Sequence, residues 1–438
     1  MGFFIAICCV ILAIFACKVE RKWYNPATVT LIVWAVVMFL YELKLFGIYN
    51  VESSTYETIS MGLVFFFIGC LLSTAEKRRI VLKKNRADVQ IEENINYGLL
   101  KILGIIVFLF FAEEAVETLI LARSGVSLFD IRTSLQGYAD YSFSDNLYVL
   151  RSKIGPLYTW VILPVYNAML ILTCIDIFAG KKDKFLIALS VGCLLLKSLK
   201  EGSRVALFTF VIYLIFSLAI YGKKINLSSK AKKRIKSIVI IAVVIMVIIS
   251  NIRISEGQKT LFEEIYLYFT CCVPLWDHWL SSFISSGTDF TYGATSLYGI
   301  IQLPATILTF LCGHTLDWYK AGQLSIQATE QFIQVRDAAY SYKSNAYTTM
   351  FYYFYKDAGM LGIAVGSLLF GLICTSVFKR LKVEMKVTTQ SKRLVYVYLL
   401  LIQAMVLSFV RVYFSIASYS FTFLYVWIFI QKQYIKEE

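Results

Sequence analysis

The chain alternates long apolar runs with short polar connections. A membrane-crossing helix needs about 20 apolar residues, and shorter ones suffice when they pack among neighbours. By this criterion the pattern predicts about 11 spans in an all-α, polytopic integral membrane protein, with residues 1–438 as a single transmembrane domain. The predicted spans are 2–17, 27–46, 57–75, 97–122, 156–179, 185–199, 205–221, 237–252, 358–378, 394–410 and 412–430.

Two of these assignments depend on their flanks. The stretch 394–430 is too long for one span and has no Gly or Pro turn, so the predicted reversal lies near Arg411, the charge that divides it. Residues 2–17 lack a preceding basic segment and a following small-residue cleavage site. We therefore expect a retained span there and not a signal peptide.

The composition agrees with a membrane protein, and the placement of the basic residues argues against a nucleic-acid partner. The chain is 58% hydrophobic and 16% charged, which is far outside the range of soluble domains. Taken alone, its net charge of +14 would suggest a nucleic-acid partner. The basic residues, however, lie in short loops between apolar runs, where the positive-inside rule explains them, so no nucleic-acid partner is predicted.

The same rule sets the orientation. With the N-terminus outside and the C-terminus inside, one face receives every short basic loop, including the clusters at 77–79 and 232–234. The predicted inside segments are 18–26, 76–96, 180–184, 222–236, 379–393 and the tail after 430.

Two long segments then lie outside, 123–155 and 253–357. The second is rich in apolar side chains, with helical spacing over 261–269 and a short apolar run over 303–310. Runs of this length are too short to cross a bilayer, so they predict interfacial or re-entrant helices in a large, partly helical outer loop. No internal repeat is present, which argues against a transporter built from duplicated halves.

Several kinds of site have no starting point in the sequence. It contains no P-loop, GxSxG, GxGxxG or Asp-x-Asp motif, and its ten cysteines form no CxxC pair. No metal and no cofactor are predicted. Cys271, Cys272 and Cys312 share the long outer loop, where both a disulfide and simple packing remain open.

Arginines are unexpectedly frequent on the predicted outer face. A guanidinium binds phosphate oxygens in a planar fork and keeps its charge in a partly dry site, whereas a structural salt bridge or an interfacial anchor is the alternative for each. The set comprises Arg123, Arg132, Arg151, Arg204, Arg253, Arg336 and Arg411.

Arg204 stands at a polar corner, residues 197–204, between two apolar runs. Ser203 is a suitable N-cap for the helix over 205–221, whose positive dipole end then faces the corner. A cation is disfavoured at that place unless an anion lies nearby. Either Glu201 or a substrate supplies this anion.

Acidic and imidazole groups give further candidates. Glu113, Glu114 and Glu117 share one helical face near the outer end of a span. They face a partner or a cavity within the membrane, or they lie among the headgroups and pair with Arg123. His278 and His314 are both in the outer loop, and Asp277 points away from His278 on a helix, so adjacency alone makes no dyad.

One combination of short motifs resembles a known family. Asn345-x-Tyr-Thr is followed by aromatics and by Asp357-x-Gly-x-x-Gly at the head of a span, and Gly-Ser-Arg204 heads an earlier span. This combination, with about eleven spans and one large outer loop, resembles the bacterial oligosaccharide repeat-unit polymerases that make O-antigen and capsule chains. The resemblance extends over nearly the whole chain, although Ala358 stands where family members commonly have Phe.

The resemblance implies a glycosyltransferase of the bacterial cytoplasmic membrane. It would move a growing glycan from undecaprenyl pyrophosphate onto a new lipid-linked repeat at the outer face, among membrane lipids and beside a chain-length regulator and a repeat-unit flippase. Alternatives are a ligase that transfers finished glycan, a lipid-linked sugar transporter or flippase, and a structural membrane subunit.

Residue roles follow from that expected reaction. Arg204 and Arg253 are predicted to bind the donor pyrophosphate, with Arg411 and Arg336 as supports. The candidates for the base that accepts the proton of the attacking hydroxyl are, in falling order of preference, His278, Asp357 and His314.

Overall fold

The computed structural model describes residues 1–73, 89–126, 154–201, 204–222, 261–337, 343–387 and 391–436, most of them helical. The helices are α1 (Gly2–Glu20), α2 (Pro26–Glu42), α3 (Ser53–Leu72), α4 (Tyr97–Arg123), α5 (Gly155–Ala179), α6 (Lys184–Glu201), α7 (Val205–Tyr221), α8 (Leu261–Thr270), α9 (Cys272–Ser286), α10 (Tyr298–Cys312), α11 (Asp317–Ala328), α12 (Thr349–Val387), α13 (Lys392–Val406), α14 (Ala417–Thr422) and α15 (Tyr425–Phe429). The strands are β1 (Val89–Ile95), β2 (Ile333–Gln334), β3 (Lys343–Ser344) and β4 (Ile430–Lys436).

Several long apolar helices could cross a membrane, which is consistent with a helical membrane protein. Among the described residues, α1, α3, α5 and the Thr349–Met385 part of α12 are long and apolar enough to cross a membrane. Shorter apolar helices are α2, α7, α10 and the Ala417–Phe429 segment. Helix α7 occupies the range predicted from sequence, and the predicted span 237–252 lies outside the described residues.

The last predicted span differs from the structure. Residues 412–430 form a 3-10 turn and two short helices in place of one continuous helix. Hydroxyl side chains compete for the backbone carbonyls there, because Ser415 Oγ donates to Val412 O at 2.6 Å and Ser420 Oγ donates to Phe414 O at 3.1 Å. The predicted reversal near Arg411 coincides with a non-helical stretch that follows α13.

The chain forms two compact units, each built from three separate pieces of sequence. Unit 1 comprises Met1–Ala87, Phe262–Val387 and Leu400–Ser420, and unit 2 comprises Asp88–Leu261, Thr388–Leu399 and Phe421–Glu438. In unit 1, α3 packs along α12 and α1 packs along α2. In unit 2, α4 packs against α6, and α5 packs against α7.

The helix ends of unit 1 sort into two groups. At one end, Lys382 forms an ion pair with Glu20 at 2.7 Å and Lys379 Nζ donates to Ser73 O at 2.8 Å. At the other end, Tyr56 OH donates to Glu42 Oε1 at 2.6 Å. The first group consists of residues in or next to loops predicted to be inside, so we call it the predicted inner end and the other the predicted outer end.

Unit 2 gathers its own predicted inside segments at one end. Strand β1 pairs with β4 in antiparallel register, from Val89 opposite Lys436 to Ile95 opposite Ile430. Lys392 Nζ donates to Glu93 O at 2.6 Å, which joins the start of α13 to this ladder. The strand pairing has no counterpart in the sequence prediction, because its two partners are far apart in the chain.

Close helix contact in unit 1 depends on glycine. A Cβ on Gly371 would lie 2.2 Å from Phe66 O, and one on Gly69 would lie 2.1 Å from Leu368 O, so α3 and α12 approach backbone to backbone. Gly362 and Gly366, spaced four residues apart, instead accommodate Phe354 of their own helix. They do so because α12 is broken at Gly359, whose φ is +61°.

We predict that Gly371→Ala destabilises unit 1 by about 1–3 kcal/mol, because the new methyl group forces α3 away from α12. Thermal unfolding of the purified protein in detergent measures the effect. Gly155→Ala is the matched control, since no atom lies within 4 Å of the position its Cβ would occupy. Equal unfolding temperatures for the two variants would contradict this packing.

Candidate functional site

Asp357 lies at the break in α12 and holds a turn of the outer segment. Its Oδ1 accepts from Thr291 Oγ1 at 2.7 Å and from Thr295 N at 3.1 Å, and its Oδ2 accepts from Ser296 N at 3.2 Å. The side chain is buried. Both carboxylate oxygens are therefore occupied, which is the arrangement of a structural anchor more than of a free base.

The two histidines are exposed and apart from that anchor. His314 Nδ1 lies 3.1 Å from Cys312 O, and the His278 ring lies beside Trp279. In the described parts of the chain, no hydrogen bond or ion pair joins either imidazole to Asp357 or to one of the arginines. The three predicted bases are therefore not joined into one group within the described chain.

Asp277, next to His278, has a different task. Its Oδ1 accepts from Glu52 N at 2.9 Å and from Thr55 Oγ1 at 2.6 Å, so it caps the start of α3. The expectation that Asp277 and His278 form no dyad agrees with this geometry.

Arg336 is the most deeply buried of the described candidate arginines, with 1% of its surface exposed. Its Nη1 lies 2.5 Å from Glu263 Oε1. The backbone around it is fixed as well, because Tyr49 N donates to Val335 O at 3.1 Å and Asp337 N donates to Gly47 O at 3.0 Å. A buried, paired guanidinium of this kind matches the structural alternative left open for each arginine.

Arg411 has a different environment, in the non-helical stretch after α13. Its side chain is partly buried, and no hydrogen bond or ion pair joins its guanidinium to another residue that the structure describes. Burial opposes the charged form, but Tyr353, Tyr413 and Glu330 nearby raise the pKa of Arg411. Arg411 therefore remains a cation with open donors.

The neighbours of Arg411 add polar groups to this place. Tyr353 is fully buried, and its hydroxyl has no hydrogen-bond partner among the described residues. Burial raises the pKa of Glu330, while Arg411 lowers it. Together these side chains supply a cation, a phenol donor and a carboxylate with raised proton affinity in unit 1.

The backbone beside them is strained. Ala346 and Thr349 have φ values of +61° and +66°, which are unfavourable for residues with a Cβ and rare for a β-branched one. Hydrogen bonds hold the segment in place, since Ala346 N donates to Thr329 O at 2.7 Å and Met350 N donates to Ser408 O at 2.8 Å. This is the Asn-x-Tyr-Thr segment that carried the family resemblance. Tyr347, the tyrosine of this segment, also lies in the electrostatic neighbourhood of Arg411.

Unit 2 contains a buried ion pair that sequence reasoning only half identified. Glu114 on α4 and Lys200 on α6 are both buried and in direct contact, and Lys200 Nζ also donates to Tyr158 OH at 2.7 Å. Tyr158 begins a π-helical turn over Tyr158–Ile162, a local widening often seen at functional sites. Of the two readings of the glutamates, Glu114 follows the one with a buried partner, and that partner is Lys200.

The corner at 197–204 is only partly described. Lys197 pairs with Glu201 at 2.6 Å, one helical turn apart. Arg204 occupies the N-cap position of α7, and its side chain makes no capping hydrogen bond. The predicted cap Ser203 lies outside the described residues, as do Arg132, Arg151 and Arg253, so the predicted joint role of Arg204 and Arg253 stays a prediction.

Metal ligation and disulfide formation are absent from the described part of the chain. No cluster of three or more His, Cys, Asp or Glu side chains there has the arrangement of a metal site. All ten cysteines are free thiols, with Cys271 and Cys272 buried and Cys312 exposed. Of the two possibilities for these three cysteines, packing is the one found for the buried pair.

No family model, no curated protein and no solved structure matches this chain. Its function has to be inferred from its own residues and their geometry.

We predict that Lys200→Met destabilises unit 2 by about 3–5 kcal/mol, because it removes one partner of a buried ion pair and leaves the Glu114 side chain buried without that partner. The double variant Lys200→Met/Glu114→Leu should recover most of the loss. Lys197→Met is the control, since its partly exposed pair with Glu201 contributes about 1 kcal/mol or less. Unfolding in detergent measures all three, and equal losses for the single and double variants would contradict the pairing.

Asp357→Ala is expected to lower the stability of unit 1 by at least about 2 kcal/mol, because three donors lose their acceptor. The exposed Asp289→Ala is the matched control. The unfolding temperature in detergent should fall in the Asp357 variant and stay unchanged in the control. An Asp357→Ala protein as stable as the control would contradict the structural role and leave Asp357 among the candidate bases.

Proposed function

We propose that this chain is a glycosyltransferase that polymerises lipid-linked oligosaccharide repeats at the outer face of the bacterial cytoplasmic membrane. The donor is a growing glycan on undecaprenyl pyrophosphate, and the acceptor is the terminal sugar of a new lipid-linked repeat. The proposal includes about eleven spans, an outer N-terminus and an inner C-terminus. It also includes a chain-length regulator and a repeat-unit flippase as partners.

The observation that supports it most is the environment of Arg411. A guanidinium with open donors, set among phenols in a non-helical break, suits a phosphate that arrives with its substrate. Arg336 lacks this freedom, because Glu263 already occupies its Nη1. The structure therefore gives less support to a role of Arg336 in pyrophosphate binding than to the same role of Arg411.

The reaction needs little beyond charge stabilisation and one proton acceptor. A sugar hydroxyl of the acceptor attacks the anomeric carbon of the donor, and the bond from that carbon to the pyrophosphate oxygen breaks. The pyrophosphate leaves with the electron pair, and the Arg411 guanidinium together with the Tyr353 hydroxyl stabilises its developing charge.

The hydroxyl proton goes to a base in the same reaction. Asp357 is engaged by three donors, and the exposed His278 and His314 make no hydrogen bond or ion pair with a carboxylate or an arginine in the described parts of the chain. Glu330 is a further candidate, because it lies in the electrostatic neighbourhood of Arg411 and burial raises its pKa, while Arg411 lowers it. Sequence reasoning missed Glu330, since no motif marks it.

A flippase for lipid-linked sugars is the second candidate, and one observation favours it. A transporter should place ionisable groups among its spans, and the buried Glu114–Lys200 pair between α4 and α6 is such a group. The ligase alternative shares the arginine chemistry and differs in the acceptor. Product analysis separates the three activities.

Arg411→Lys is expected to reduce chain growth by about 10²-fold or more, because lysine cannot donate in a fork. The assay supplies one purified lipid-linked repeat to protein in liposomes and resolves the products as a ladder. Arg411→Ala and Arg204→Lys are expected to lose chain growth as well, while all variants still accumulate in the membrane.

Arg380→Lys is the matched control, since Arg380 is exposed in the C-terminal half of α12. A full ladder from Arg411→Lys would return this residue to a structural role. Movement of the repeat across the liposome bilayer without any elongation would replace the polymerase proposal by the flippase.

A further inference from the structure

Helix α10 carries an apolar surface that the described chain leaves uncovered. Phe310 and Leu311, near its end, are 86% and 71% exposed, and Ile307 and Leu308 are exposed one turn earlier. No Asp, Glu, Lys or Arg occurs between Asp289 and Asp317. A segment so free of charge, ending in bare aromatic and aliphatic side chains, is unsuited to water.

The base of α10 is fixed to the break in α12. Thr291 N donates to Lys356 O and Tyr292 N donates to Asp357 O, both at 3.0 Å, beside the bonds that the Asp357 carboxylate accepts. A Cβ on Gly299 would lie 2.4 Å from the carbonyl carbon of Ile416, so the first turn of α10 also abuts the backbone before α14. Helix α10 thus starts from a rigid point.

Helix α11 returns to the same base and leaves the far end of α10 alone. Trp318 Nε1 donates to Thr291 O at 2.7 Å. The rings of Tyr319 and Tyr298 stack with centroids 5.1 Å apart, and their hydroxyls lie 2.8 Å from each other. Since α11 begins beside the first turn of α10, residues 306–312 project beyond the packed base.

That base lies beside the break in α12, just before the apolar stretch that follows the break. Beyond the break, one face of α12 exposes Leu361, Val365, Leu369 and Ile373, spaced four residues apart along a helix apolar enough to span. An exposed apolar stripe of this kind is typical of the lipid-facing side of a membrane helix. The apolar surface of α10 therefore begins next to a surface that contacts lipid.

Helix α10 cannot itself cross the bilayer. Its 15 residues span about 22 Å, less than the hydrocarbon core requires. Residues 306–312 have no charged side chain to hold them among headgroups, and Thr306 Oγ1 donates to Gln302 O, which satisfies it within the helix.

We propose that α10 is re-entrant and that residues 306–312 insert into the acyl chains of the membrane leaflet at the predicted outer end of unit 1. The partner is lipid hydrocarbon, and the contact anchors the outer segment whatever reaction the protein catalyses. Helix α11, with Trp318 and Lys320 at its start, stays at the membrane surface.

Cys312 reports on this insertion in the native chain, because it is the exposed one among the ten cysteines. A small thiol-reactive fluorophore is attached to the whole protein in liposomes, and Cys312→Ser gives the background from other thiols. Nitroxides on lipid acyl chains are expected to quench the Cys312 label several-fold more than aqueous iodide does. Lys320→Cys in the Cys312→Ser background should show the opposite preference.

Phe310→Asp/Leu311→Asp is expected to transfer the Cys312 label to water, so that iodide quenches it, while gel filtration still shows folded protein. Two results would overturn the proposal. One is iodide quenching of Cys312 equal to that of the Lys320→Cys site. The other is Cys312 cross-linking between chains in a yield that rises with the protein-to-lipid ratio, which would assign the surface to a second copy. No glycan enters this experiment, so its result is independent of the proposed reaction.

Discussion

The structure of unit 1 depends on the hydrogen bonds that satisfy the polar groups at the break in α12. An apolar environment offers no water to a backbone that leaves the helical pattern, so each freed polar group needs a partner in the protein. At Asp357 the turn at 291–296 supplies the donors, because both the carboxylate and the adjoining backbone carbonyls accept hydrogen bonds from it. The outer segment is therefore tied to the head of a spanning helix by backbone and carboxylate together.

Charge pairing separates cations that appear equivalent in the sequence. Arg336 and Lys200 are both buried, and each contacts a glutamate, so their charges are already balanced. Arg411 has phenols around it and a carboxylate in its wider neighbourhood, but no ion pair within the described chain. Its charge is thus available to a ligand, whereas the other two charges hold helices and loops in place.

Local features of the fold were predictable and distant pairings were not. Hydropathy correctly predicted the helix at Val205–Tyr221 and the apolar run inside α10. Both depend on the pattern of residues that are close together in the sequence. Glu263 lies 73 residues from Arg336 in the sequence, and Glu114 lies 86 residues from Lys200. Neither ion pair could be predicted from a local sequence pattern. The prediction of one span over 412–430 was wrong for another reason. The hydropathy of this region is high, but Ser415 and Ser420 donate hydrogen bonds to backbone carbonyls and so compete with the helix.

The ladder between β1 and β4 has a consequence for biosynthesis. Strand β4 is translated after every other described segment of unit 2, whereas β1 precedes them all. During synthesis β1 must wait with an unpaired edge while the intervening helices enter the membrane. Unit 1 likewise needs Leu400–Ser420, so both units are completed late and neither can be produced as one continuous fragment.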